Sequence, residues 1–167
     1  METIDMTERL NQLSNIVIGA AIEVHKALGP GLYESVYEEC LMKELEMRQV
    51  KCQSQLTFKL NYKGHETGKA FRIDLLVEDE LIVEIKAVDE LTPLNEVQLV
   101  TYLKMLDKHL GLLINFNVIR LADGIRRKVY NMGGIKSQYP INRDIISTRF
   151  TASEQYSANF ANAQHSL

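Results

Sequence analysis

"RIDLLVEDELIVEIK" occupies Arg72 to Lys86, and its reading decides the fold. Two apolar runs flank the polar "EDE" at Glu78–Glu80, the pattern of a β-hairpin. Side chains in a strand alternate between faces. Phe71, Ile73, Leu75 and Val77 then share one face of the first strand, and Arg72, Asp74 and Leu76 the other. In the second strand Ile82, Glu84 and Lys86 lie together, against Val83, Ile85 and Ala87. A tight turn sets residues whose numbers sum to about 158 or 160 opposite each other, which brings Asp74 near Glu84.

Working outward, "LTFKLNYKG" (Leu56–Gly64) alternates as a half-buried strand, with a turn over Lys63–Thr67. With "KAFRIDLLV" and "LIVEIKAV" it predicts a three-stranded antiparallel meander. On the N-terminal side, Asp5-x-x-Glu8 resembles a capping box. Leu10, Leu13, Val17, Ala20, Val24 and Ala27 continue at helical spacing. "LGPG" (Leu28–Gly31) stops that helix with Gly29 at the C-cap, and a second helix is expected over Leu32–Met47. On the C-terminal side, Thr92-Pro93 is a helix start that should run to about Lys108. "GLLINF" then reads as a strand buried on both faces, and "IRRKVYN" as an added edge strand. The element order is α-α-β-β-β-α-β, an α/β (α+β) architecture with a mixed central sheet flanked by helices. Residues 1–131 are expected to form one domain, and 132–167 a loop-like or partly disordered extension.

Composition agrees with one globular domain: 46% hydrophobic and 25% charged residues in 167. No apolar run approaches the roughly 20 residues of a membrane helix, so no membrane partner is expected. "METIDMTERL" has neither the basic start nor the apolar core of a secretory signal. Cys40 and Cys52 lack metal-type spacing and are read as reduced thiols in a cytoplasmic compartment. Net charge is −3, divided into −7 over residues 1–116 and +4 over 117–167. The basic part is either a phosphate-contacting surface or a solvated face.

Charges inside apolar strands need a reason. Two convergent carboxylates, Asp74 and Glu84, repel each other and are costly to bury unpaired. A divalent cation such as Mg²⁺ relieves both costs, taking one or two carboxylates, with water or phosphate completing its shell. The backbone carbonyl of Ile85 is a further candidate ligand, and Lys86 is placed to orient a water and offset phosphate charge. The alternative is an internal salt-bridge cluster of Asp74, Glu84 and Lys86 with Arg72. Gln98 and Tyr102 share a helix face that follows this strand. They are either substrate-facing, or a surface pair with the Tyr ring in the core. Glu34 is either a further carboxylate of the site or a helix N-terminal charge. His25 reads as structural, and Arg9 and Lys26 as solvated.

These residues carry a resemblance. Gly31, Glu34 and Tyr37 spell the motif of the GxxExxY proteins, a branch of the PD-(D/E)XK nuclease-like superfamily. "AIEVHKALGPGLYESVYEECL", "RIDLLVEDELIVEIKAV", "QLVTYLK" and "GLLINFNV" are similar to its members over about Leu10–Asn131. The resemblance implies a restriction-endonuclease-like sheet, metal-binding acids at Asp74 and Glu84, the lysine at Lys86 and the helix acid at Glu34. It also implies the Gln-x-x-x-Tyr pair at Gln98 and Tyr102. Ile73 stands where the nominal motif has proline. The implied function is Mg²⁺-dependent (or Mn²⁺-dependent) hydrolysis of phosphodiesters, with DNA as the expected partner. Arg72 and Tyr37 are candidate substrate contacts, and a homodimer would let a small nuclease span a duplex. The competing expectation is a catalytically silent module that binds nucleic acid or protein on the same fold.

Overall fold

The structure, a computed structural model, describes residues 5–131. The expected extension over 132–167 lies outside them. Among the described residues nine elements follow in order: α1 (Met6–Leu28), α2 (Glu34–Met47), β1 (Cys52–Tyr62), β2 (His65–Val77), β3 (Leu81–Lys86), α3 (Pro93–Met105), β4 (Leu110–Asn115), a 3-10 turn (Leu121–Gly124) and β5 (Ile125–Val129). The strands form one sheet in the order β1-β2-β3-β4-β5. β1, β2 and β3 pair antiparallel, β3 and β4 pair parallel through α3, and β5 returns antiparallel to β4. The sheet is therefore mixed, as expected, and "IRRKVYN" supplies its edge strand.

Helices cover both faces. α1 and α2 pack on Leu75, Val77, Val83, Ile85, Leu112 and Ile114. α3 packs Leu99, Tyr102 and Leu103 on Ile73, Leu76, Ile82 and Leu113. This explains why all six residues of β4 are buried: a strand with helices on both sides has no polar face. Among the described residues no helix is long and apolar enough to cross a membrane.

Several boundaries differ from expectation for local reasons. Asp5 is the N-cap of α1, but its side chain makes no cap hydrogen bond. Glu8 instead accepts from Gln12 Nε2 at 3.0 Å. α3 ends at Met105 rather than near Lys108, because Asp107 adopts φ 50° and turns the chain into β4. Its start is as expected, with Thr92 and Asn95 forming a reciprocal capping box. β2 begins at His65, earlier than expected. Lys63 (φ 51°) and Gly64 (φ 83°) make a two-residue turn, the hairpin geometry with positive φ at both positions. β1 and β2 consequently run far beyond β3, which pairs with β2 only at Leu75, Leu76 and Val77.

The "EDE" turn is braced rather than merely solvated. Glu78 Oε1 accepts from Lys51 N–H at 2.6 Å, Asp79 pairs with Lys108 at 3.2 Å, and Glu80 with Arg9 at 2.5 Å. Arg9 is exposed, as expected of a solvated charge, and makes this pair at the surface.

The α1–α2 connection is built on Tyr37. Its ring, fully buried, stacks on Phe116 with centroids 4.5 Å apart and planes 9° apart. Its hydroxyl donates to Gly29 O at 2.6 Å and accepts from Leu32 N–H at 3.1 Å. Gly29 (φ 67°) and Gly31 (φ 97°) supply the left-handed backbone the loop needs. Removing this hydroxyl leaves a buried carbonyl and an amide without their partner. Tyr37→Phe should lower unfolding free energy by about 1–3 kcal/mol, measured by urea denaturation. An unchanged midpoint would show that the hydroxyl does not hold the loop.

Candidate metal site at the β2–β3 divergence

β2 and β3 stop pairing where the charged residues begin. The observed register sums to 158, and its last ladder pair is Leu75–Val83. One step further, the side chains take over from the backbone. Asp74 Oδ2 accepts the N–H of Ile85 at 2.8 Å, and Glu84 Oε1 accepts the N–H of Asp74 at 3.3 Å. The two carboxylates are thus brought to the same gap between strands.

The alternation of β2 resets here. Phe71 and Ile73 pack with Leu76 beneath α3, whereas Arg72 and Asp74 line a groove beside α2. Leu75 and Val77 then also lie on the α1/α2 side. The expectation that Ile73 shares a face with Leu75 and Val77 is therefore incorrect. The cause lies across the ladder in β1. Gln55, opposite Asp74, adopts φ 55° and drops out of pairing, while the register is the same on both sides of it. Both strands are interrupted together, and Asp74 is released to turn toward β3.

Electrostatics follow from this geometry. Glu84 is only 6% exposed. Burial, then repulsion by Asp74, pushes its carboxyl up to about 8. Burial also raises Asp74, opposed by the Ile85 N–H and by the Lys86 charge. Among the described residues no ion pair joins Asp74, Glu84, Lys86 and Arg72, so the salt-bridge cluster is not formed. Lys86, half-buried, acts on both acids through its field.

Two helices close on the gap. Glu34, the first residue of α2, accepts from Ala87 N–H at 3.3 Å and so ties that helix to the residue after Lys86. α3 brings Tyr102, whose hydroxyl accepts from Gln98 Nε2 at 2.9 Å. Burial raises Tyr102, and the Glu84 charge adds to it, which places the phenol within the field of the acids. The Tyr102 ring meets Phe58 edge-on at 5.5 Å, so core packing and a site-facing hydroxyl coexist in one side chain. Arg72 is exposed on the wall of the groove.

Tyr37 is not brought to the site. It is buried and its hydroxyl is committed to the α1–α2 loop, so a substrate contact there is ruled out. His25 is structural as expected, with Nε2 2.8 Å from Val118 O. Two residues were missed. Glu38, one turn after Glu34, accepts from Gln55 Nε2 at 2.7 and 2.8 Å and lines the same groove; its i,i+4 spacing from Glu34 was the available signal. Asn115, 2% exposed, donates to Val88 O at 2.8 Å and accepts from Val88 N–H at 3.1 Å. A polar residue closing the apolar "GLLINF" run was its signal.

A profile of the PD-(D/E)XK nuclease superfamily matches residues 11–128. The chain belongs to this superfamily. Its mixed five-stranded sheet with flanking helices is the restriction-endonuclease-like fold. No curated protein sequence matches the chain. A solved structure titled "Crystal structure of SSO0001" is similar at 18% identity with a TM-score of 0.43. That match covers 73% of this chain and 58% of the other.

The donors suit a hard, oxygen-seeking cation. Among the described residues no group of three or more His, Cys, Asp or Glu side chains is arranged to hold a metal. A two-carboxylate site is nevertheless what Mg²⁺ uses when water and phosphate complete its shell. The N–H of Ile85 points into the gap, and the carbonyl of the same strand residue points the same way.

Without a cation the fold favours the protonated form of Glu84. That contribution to stability is complete below the ordinary value of 4.5 and is lost as pH rises through about 8. It amounts to on the order of a few kcal/mol. Melting temperature in EDTA should therefore fall between about pH 5 and pH 9. Glu84→Gln keeps an acceptor for the Asp74 N–H and should flatten that decline. Equal slopes for both proteins, followed by circular dichroism, would contradict it.

Proposed function

We propose that this protein is a divalent-metal-dependent nuclease that hydrolyses phosphodiester bonds in DNA. The observation that carries this is the pair Asp74 and Glu84, held at a break in the β2–β3 ladder with Lys86 beside them. Asp74, Glu84 and the Ile85 carbonyl would hold Mg²⁺, or Mn²⁺ in its place. Bound there, the ion would supply Lewis-acid neutralisation of charge on the phosphate.

The remaining roles fall to the chain's own groups. Lys86 is the side chain best placed to orient the attacking water and offset negative charge in the transition state. Glu34, on the Ala87 side, would accept hydrogen bonds from water at the site. Gln98 and Tyr102 present an amide and a phenol that can donate to a phosphate oxygen. Arg72 would contact the phosphate backbone from the groove wall. Within the superfamily, Gly31, Glu34 and Tyr37 favour the GxxExxY branch.

Cleavage of labelled oligonucleotides with Mg²⁺ or Mn²⁺ tests the reading. Asp74→Ala and Lys86→Ala should each lose at least about 100-fold in rate, the scale of a positioned acid–base or charge-stabilising group. Mg²⁺ should raise the melting temperature of the unsubstituted protein near pH 8, and of Asp74→Ala little. No cleavage of any strand, or equal cleavage by Lys86→Ala, would leave a silent binding module as the better account.

A further inference from the structure

The groove beside α2 has a volume of about 830 Å³ and runs from Tyr33 past Glu34 and Glu38 to Arg72 and Asp74. Its charge is unusual for a phosphate-binding surface. Four lining residues, Glu34, Glu38, Glu39 and Asp74, are acids and one, Arg72, is a cation, so a phosphate backbone gains little there by Coulomb attraction alone.

The four described cations after residue 117 do not make up for this. Each of them is committed to a partner. Arg126 pairs with Glu96 at 3.5 Å, and Lys128 pairs with the same carboxylate. Arg127 donates to Asn11 at 2.6 Å, and Arg120 lies 3.9 Å from Asp123. A duplex is held mainly through many phosphate contacts, and these four cations are poorly placed to provide them.

One side chain on the rim has no structural task. Tyr33 is 83% exposed, the most exposed large apolar residue described. It occupies the N-cap of α2 but makes no side-chain cap hydrogen bond. Asp, Asn, Ser or Thr at that position would cap the helix. Its neighbour Leu32 is 40% exposed and lines the same groove. The next residue, Glu34, is tied to Ala87 and so to the Lys86 strand. An aromatic face is thus displayed within one residue of the candidate site, where electrostatics favour a ligand recognised by its bases.

We infer that Tyr33 is a stacking platform for an unpaired nucleobase, and that the preferred substrate is single-stranded DNA or a frayed strand end. The inference rests on the nuclease reading above and names its substrate class. A base inside a duplex keeps both faces stacked and cannot reach the ring. An unpaired base can, and stacking on an aromatic tolerates any base. Arg72 would contact the adjoining phosphate, and Leu32 would extend the apolar floor.

The test uses the full chain carrying Lys86→Ala, so that binding is read without turnover. Fluorescence anisotropy with Mg²⁺ compares a labelled single strand of roughly 15 nucleotides with a blunt duplex of the same sequence. The single strand should bind more tightly. Adding Tyr33→Ala should weaken single-strand binding about 5- to 150-fold, while Tyr33→Phe, which keeps the π-face, should stay within about twofold. Duplex binding should change little in either variant. In the cleaving protein Tyr33→Ala should raise KM for the single strand and leave kcat nearly unchanged. Single-strand affinity indifferent to Tyr33→Ala, tighter binding of the duplex, or no binding of either would overturn the inference. If Tyr33-dependent binding is found in a protein that never cuts, the stacking site stands and the nuclease reading falls. If the protein cuts but Tyr33→Ala binds and cuts as before, the reverse holds.

Discussion

The rest of the site depends on a substitution of side chain for backbone at Asp74. Where β2 and β3 would exchange their next pair of ladder bonds, the Asp74 carboxylate takes the Ile85 N–H and the Glu84 carboxylate takes the Asp74 N–H. A buried amide without an acceptor is costly, so each acid is anchored by the partner strand's need as much as by its own. The cost is desolvation of both acids, with repulsion from Asp74 added at Glu84, and both carboxyls are displaced upward. Folding and site assembly are one event: strand divergence opens the gap, and the acids that fill it hold the divergence in place.

The helices position themselves around this point by separate means. α2 is fixed by the Tyr37 ring on Phe116 and by the Tyr37 hydroxyl in the α1–α2 loop. That leaves Glu34, at its N-terminus, over Ala87. The three residues of the Gly31, Glu34, Tyr37 motif thus have distinct physical work: backbone reversal, a carboxylate at the rim, and a buried clamp. α3 reaches the opposite side as the parallel crossover between β3 and β4, and its capping box fixes where it begins.

Much of this was legible in the chain. Period-two alternation located β3, and continuity of "GLLINF" located the doubly covered β4. Thr92-Pro93 marked the start of α3, and a short turn predicted that Asp74 and Glu84 converge. Alternation failed at Ile73 because a strand's phase is a local property, and the reset depends on Gln55, some twenty residues away in sequence but adjacent across the ladder. Tyr37 was misread because a motif tells which residues occur together and not which way a hydroxyl turns. For Glu38 the i,i+4 spacing from Glu34 places it on the same helix face, but its hydrogen bonds to Gln55 join helix to strand and are encoded in neither element alone.

The long β1–β2 hairpin carries a further consequence. β3 covers only Leu75–Val77 of β2, so the hairpin beyond Asp74 has β2 bonded to β1 on one side only. Open edges of this kind are templates for edge-to-edge aggregation. Lys59, Lys63, Glu66, Lys69 and Arg72 stud that arm, with Lys59 and Glu66 paired at 2.8 Å. Their value lies in colloidal behaviour: charges along the arm keep one molecule's hairpin from completing its sheet with another's.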